Sequence, residues 1–240
     1  DGADHNAREG WALSGNLNLY GGPFTVSWEG SDYSRFELVS QADGVTSLNR
    51  PPALAREYTW TLFNRAPHSL NTNDETGHNL DVTWRGPGAL VLQASAVRLR
   101  LHDGRTVHEA ASLSAELGHW RGVGWQAAFG YQDSEGLRQT AAAEAAWSGP
   151  GASAWTLQAE HQHVRVGGGV GFDLGAYDQQ WFKLECALRS RWLLAAIAET
   201  NNKYAEQRAP REDAGPFLAL QAVRTLPQGG TLTLWAGRRQ

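Results

Sequence analysis

Apolar and polar residues alternate with a period of two along most of this chain. Leu13, Gly15, Leu17 and Leu19 alternate with Ser14, Asn16 and Asn18, and Phe24, Val26 and Trp28 with Thr25, Ser27 and Glu29. The same pattern recurs at Tyr58, Trp60 and Leu62, and along 125–131, 155–159 and 182–188. Successive side chains of a β-strand point to opposite faces, so the pattern predicts strands with one apolar and one polar face. The alanine-rich stretch 139–147 is the best candidate for a helix, yet it too alternates once Ala is counted as neutral. The chain reads as about fourteen strands of roughly 8–13 residues, longer than the usual ~5–6 and close to the ~9–11 that cross a bilayer at a tilt.

The connections sharpen this reading. Tight turns are signalled at Gly21-Gly22, Arg85-Gly86-Pro87-Gly88, 118–122, Ser148-Gly149-Pro150-Gly151, Arg189-Ser190-Arg191 and 227–230. Longer polar loops are expected at 66–78, 102–106, 131–138, 165–178 and 199–215. From residue 66 onward short and long connections take turns, as in an up-and-down barrel with short turns on one rim and longer loops on the other. A Greek-key sandwich has no reason to keep that order. The expected fold is therefore all-β, an antiparallel up-and-down transmembrane β-barrel that occupies residues 1–240 as one domain. Residues 41–56 break the rhythm with a long connection where a short one is due. Pro51-Pro52 is excluded from a central strand, so this segment is expected to tuck into the barrel, to cap a rim or to form an irregular loop.

Composition adds the aromatic signal. The chain has 240 residues and eleven Trp. Trp84, Trp120, Trp125, Trp147, Trp155, Trp181, Trp192 and Trp235 fall at or near inferred strand ends, where an interface girdle places an apolar ring in lipid and its N–H in water. A Trp-rich sandwich core would instead put them mid-strand. The net charge of −4, with 19% charged residues, excludes a strongly basic nucleic-acid binder. The short basic end of Arg224, Arg238 and Arg239 has no aromatic interleaving of that type. A single cysteine, Cys186, excludes an internal disulfide framework and a Cys-based zinc site. The longest unbroken apolar run, 192–198, is far short of the ~20 residues of a spanning helix, while the mean hydropathy of −0.46 is compatible with a barrel because only alternate residues face lipid. The chain starts at Asp1 without Met or an apolar leader, which suggests a processed precursor or a piece of a longer chain.

Residues 32–65 carry a family resemblance. Leu48, Asn49, Pro51, Pro52, Leu54 and Glu57 lead into an aromatic stretch. This resembles an LN-x-P-P-x-L-x-x-E segment of an uncharacterised family of bacterial outer-membrane β-barrel proteins, and the final TLTLWAGRRQ is similar to a strand of that family which normally continues further. The resemblance implies an outer-membrane barrel and supplies no catalytic residues. Many such barrels end on an aromatic residue. This chain ends Arg238-Arg239-Gln240, so either a C-terminal portion is missing, the barrel being part of a larger one, or closure is achieved differently.

Few residue sets point to chemistry. His161 and His163 would share one strand face, a spacing that holds a metal only if another ligand converges, and rim residues are the simpler reading. His108-Glu109 opens like a zinc-protease motif, but Ser112 stands where its second His belongs. The glycines at 167, 168, 169, 171 and 175 do not match a dinucleotide fingerprint, because Leu174 takes its last position, and no G-x-S-x-G elbow occurs. Glu116, Glu144, Glu160, Glu185 and Glu199 belong to the polar face, and Arg98, Arg100, Lys183 and Arg189 are placed with them. Within a barrel, Glu144, Glu160, Lys183, Glu185 and Arg189 are the lumen-lining candidates. No enzymatic activity, metal or cofactor is expected. The partners expected are outer-membrane lipid and other envelope proteins, not nucleic acid. The expected function is a passive pore or an envelope scaffold in the bacterial outer membrane. The alternative is a soluble Trp-rich all-β protein that binds carbohydrate or hydrolyses glycosides. A sheath around a partner cytochrome is a third reading, and no C-x-x-C-H supports haem binding by this chain.

Overall fold

The computed structural model describes residues 10–35, 38–39, 47–49, 54, 58–65, 74–134, 136–149, 153–166, 175–188, 191–202, 216–226 and 228–239. In chain order the strands are β1 (Trp11–Gly21), β2 (Phe24–Ser34), β3 (Leu38–Val39), β4 (Ser47–Asn49), β5 (Asp74–Arg85), β6 (Leu90–Arg100) and β7 (Thr106–Trp120). They continue as β8 (Val123–Asp133), β9 (Gly136–Ser148), β10 (Ala154–Val166), β11 (Ala176–Leu188), β12 (Trp192–Asn201), β13 (Phe217–Thr225) and β14 (Thr231–Arg239). Twelve of them form one sheet in the order β1-β2-β5 and then consecutively to β14, while β3 and β4 pair only with each other. Every pair in the large sheet is antiparallel. The alanine-rich stretch 139–147 lies within β9, so alternation outweighs the helix propensity of Ala.

Turn chemistry sets one rim. Arg121 and Gly122 connect β7 to β8 with φ of 54° and 82°, the double positive φ of a tight hairpin whose twist matches the flanking strands. Pro87–Ala89 forms a single 3-10 turn between β5 and β6. The other rim carries the longer connections 35–73, 167–175 and 202–216, with 101–105 between β6 and β7. The loop expected at 131–138 is only the link 134–135, because β8 runs on to Asp133 and β9 starts at Gly136.

Two expectations are corrected. Of the fourteen strands among the described residues twelve form the large sheet, and that sheet is not closed: β1 and β14 are its two edges. The alternating stretch Tyr58, Trp60, Leu62 is not a strand. Residues 59–65 form bends and turns, with the Asn64 N–H bonded to the Thr61 carbonyl at 3.2 Å and the Arg65 N–H to the Leu62 carbonyl at 3.3 Å. The Asn64 side chain takes the place of a strand partner, accepting from the Tyr58 N–H at 2.8 Å and donating to the Tyr58 carbonyl. The apolar pair Leu62-Phe63 breaks the alternation, and both side chains are buried. Apart from 47–49 and Leu54, the segment 41–56 lies outside the described residues.

The turn segment packs on one face of the sheet. Leu54 meets Val97, Leu99 and Ala110, and Trp60 and Phe63 meet Ala142, with Tyr58 and Ala128 against them. Burying a side chain of this size is worth ~1.5–3 kcal/mol, so Trp60, Leu62 and Phe63 tie the segment down. A flat sheet would put β6 and β12 about 29 Å apart at ~4.8 Å per strand. Leu54 packs on β6 and β7 and Arg65 pairs with Glu199 of β12, so Leu54 and residues 58–65 bridge strands six apart in the sheet order.

Candidate functional site

Directly paired residues share a face, so the register sorts every strand residue onto the face covered by 54–65 or onto the bare face. The bare face is apolar from edge to edge. Leu17, Trp28, Leu80, Ala96 and Ala111 form one cross-strand row of it, and Ala143, Ala159, Phe182 and Ala198 continue such a row over β9 to β12. Its large side chains stand open to the surroundings, with Leu13 at 65%, Leu220 at 64% and Phe129 at 57% exposure. Among the described residues no charged side chain interrupts this belt. Along β10 it runs Trp155, Leu157, Ala159 and then meets His161. Along β12 it runs Trp192, Leu194, Ala196, Ala198 and then meets Thr200.

The belt ends differently at its two rims. At the short-turn rim, the bare face carries Phe24, Trp84, Trp125, Trp147, Trp155 and Trp192 on successive hairpins, with Trp120 beside the β7–β8 turn. Trp147 and Trp155 stack at 6.4 Å between ring centroids. Two arginines lie over rings of this row, Arg121 at 4.9 Å from Trp120 and Arg224 at 5.3 Å from Trp192, within cation–π range. At the long-loop rim the same face turns polar. Arg98 pairs with Glu109 at 3.3 Å, and the Tyr131 hydroxyl donates to Glu109 at 3.0 Å. His163 and His161 flank Asp178 at 2.9 and 3.6 Å. His102 bridges Asp74 at 2.5 Å and Asp32 at 2.8 Å, and those two carboxylates hold its imidazolium above the ordinary histidine range.

Not every predicted girdle residue belongs to this row. Trp181 is buried on the covered face, because it shares parity with Lys183 and Glu185, and Phe182 takes the bare side. Trp235 also points to the covered side, where it stacks with Phe217 at 6.1 Å. Trp84, Trp120, Trp125, Trp147, Trp155 and Trp192 lie on the bare face at the short-turn rim. Arg98 and Arg100, placed by sequence with the polar face, stand instead on the bare side beyond the belt.

The covered face gathers four of the lumen candidates. Glu144 and Lys183 flank Gln158 in one cross-strand row, and Lys183 pairs with Glu185 at 2.5 Å. Arg189 lies outside the described residues. Glu160 does more than line the wall. Its two carboxylate oxygens accept the Thr61 and Leu62 backbone N–H groups at 2.8 and 2.7 Å, and Gln158 donates to it at 3.1 Å. The Gln162 amide donates to the Leu62 carbonyl and the Thr140 hydroxyl, both at 2.8 Å, and Arg65 pairs with Glu199 at 2.5 Å. Gly130 leaves room for Phe63, since a Cβ there would lie 2.7 Å from the Phe63 ring and 2.7 Å from the Ala111 carbonyl. Sequence reasoning placed Glu160 on the polar face without its role and missed Gln162, Asn64 and Arg65. The only available signal was the parity that Gln162 shares with Glu160.

Between the turn segment and strands β5 to β8 lies a partly open cavity of about 210 Å³. Tyr58, Thr59, Trp60 and Phe63 contribute from the segment, and Asn79, Asp81, Gln93, Ser95 and Gln126 are among the wall residues. Asn79 donates to Asp81 at 3.0 Å, and the Tyr58 hydroxyl is bonded to Ser112. Burial raises the Tyr58 phenol above its ordinary pKa, more than its bond to Ser112 lowers it.

Among the described residues no three His, Cys, Asp or Glu side chains converge on a common metal position. The His108-Glu109 pair is split by the strand pleat, with His108 buried on the covered face and Glu109 bonded to Arg98 on the other. The glycine-rich 167–171 lies outside the described residues. No family model matches the chain, and no curated protein or solved structure is detectably similar to it.

Proposed function

We propose that this chain forms the wall of a bacterial outer-membrane β-barrel whose interior is obstructed by its own residues 58–65. The observation that carries the reading is the uninterrupted apolar belt on the bare face, bounded by a tryptophan row on one rim and ion pairs on the other. Soluble monomers rarely expose contiguous apolar patches of more than a few hundred Å². A lipid phase removes that cost, and the Trp row with its arginines suits the headgroup layer. The long strands, each of 9–15 residues, are sufficient to cross it.

The two edges fit this reading as well. β1 runs toward the short-turn rim and β14 away from it, and both put leucines on the bare side, so pairing one with the other would be antiparallel with faces in register. Unpaired backbone groups are costly in hydrocarbon, which drives the sheet toward closure there. Seating of 54–65 on Glu160, Gln162 and Glu199 favours an envelope scaffold or a gated barrel over a freely open pore.

The test is insertion. Chain refolded into phosphatidylcholine vesicles should resist carbonate extraction and run at a different gel mobility before and after heating. A chain that stays soluble and monomeric without detergent overturns the proposal and favours the carbohydrate-binding alternative.

A further inference from the structure

The cavity beneath Tyr58 and Trp60 has no part in spanning a bilayer, yet it is the most fully furnished polar space among the described residues. We infer that it is a binding site for a single ring of a neutral carbohydrate. The inference is independent of the membrane reading.

Size and chemistry select this class. About 210 Å³ is smaller than the ~300–1,000 Å³ of pockets for drug-sized molecules. That suits one sugar ring and not a chain. The roof is aromatic, from Tyr58 and Trp60. An aromatic face accepts the C–H side of a pyranose while leaving its hydroxyls free to turn to the wall. The wall supplies Asn79, Gln93, Gln126, Ser95 and Ser114, all groups that both donate and accept, as sugar hydroxyls do. Asp81 is the sole charged residue among the described residues of the lining, and a carboxylate can accept from two adjacent hydroxyls at once. Among the described residues of the lining there is no cation, so the groups seen there offer a phosphate or carboxylate ligand no counter-charge to Asp81. An apolar ligand would strand the amides and hydroxyls without partners, at a cost of ~1–3 kcal/mol each.

The roof is also fixed before any ligand arrives. Asn64 binds both backbone groups of Tyr58, Ser112 holds its hydroxyl, and Glu160 holds Thr61 and Leu62. A preformed site avoids the cost of ordering a loop on binding.

Saturation-transfer NMR on the full chain folded in detergent, with glucose, galactose, mannose and N-acetylglucosamine as probes, tests the site. At least one sugar should bind saturably. Asp81→Asn and Gln93→Ala should each weaken it about tenfold or more, and Thr200→Ala, on the opposite face, should leave it unchanged. Near-UV circular dichroism checks each fold, and Ser114→Ala, with a severalfold loss expected, replaces any variant that fails to fold. Absence of saturable binding by all four sugars overturns the inference, as does unaltered affinity in correctly folded cavity variants. Failure of vesicle insertion would overturn the membrane reading and leave this one standing.

Discussion

Glu160 is the residue on which the interior arrangement turns. A carboxylate that accepts two backbone N–H groups orders a segment which offers its sheet face few regular backbone bonds. Glu160→Gln keeps one acceptor oxygen and turns an NH2 group toward an N–H donor. It should cost about 2–3 kcal/mol in denaturant unfolding and expose 54–65 to limited proteolysis, with the sheet itself intact. His102 gives a second test at this scale. Its folded-state pKa is raised above the ordinary 6.5 by Asp74 and Asp32, so its contribution is fully present below pH 6.5 and fades as pH rises through the higher folded value. An NMR titration should find His102 above 6.5 in the parent and close to it in an Asp32→Asn, Asp74→Asn variant. A parent value at or below 6.5 contradicts the geometry.

At the scale of elements, period two was a good guide along strands that pair within the large sheet. It identified β1, β2, β8, β10 and β11 from residues alone, because the pleat alone determines which face a side chain takes. Applied strictly, it would also have put Trp181 on the side of Lys183 and Glu185, two and four positions away. The same period misled at Tyr58, Trp60 and Leu62. There the alternating rings are spent on packing against Ala128 and Ala142, and side-chain bonds from Asn64, Glu160 and Gln162 replace a strand partner. The belt provides the discriminating variant. Phe129→Arg in the middle of β8 should lower folding stability in lipid vesicles by about 2–4 kcal/mol, as a charge in mid-bilayer does. At a site already 57% exposed, the same change in a water-soluble fold should stay within about 0.5 kcal/mol.

At the scale of the whole molecule, the seating of residues 58–65 on the sheet makes one prediction about conduction. The parent protein in planar bilayers should show little or no steady conductance. A Glu160→Gln, Arg65→Ala variant, which removes both the carboxylate clamp and the ion pair with Glu199, should open frequent larger steps. Equal conductance in both would mean that 54–65 does not obstruct the path. This behaviour could not be read from the chain, because the clamp joins residues about a hundred positions apart, which no local pattern relates.

The sequence by itself determined that the chain is all-β, that its strands are long and meander antiparallel, and that one face of each is apolar. Those properties follow from side-chain parity and turn chemistry, which act over two to four residues. Only the tertiary structure decided that there are twelve strands in the sheet, that its edges β1 and β14 are left unjoined, which tryptophans share a rim, and that residues 58–65 seat on Glu160 beside a polar cavity. These depend on register and on contacts between distant strands, where burial of Trp60, Leu62 and Phe63 outweighs the strand preference of their own stretch of chain.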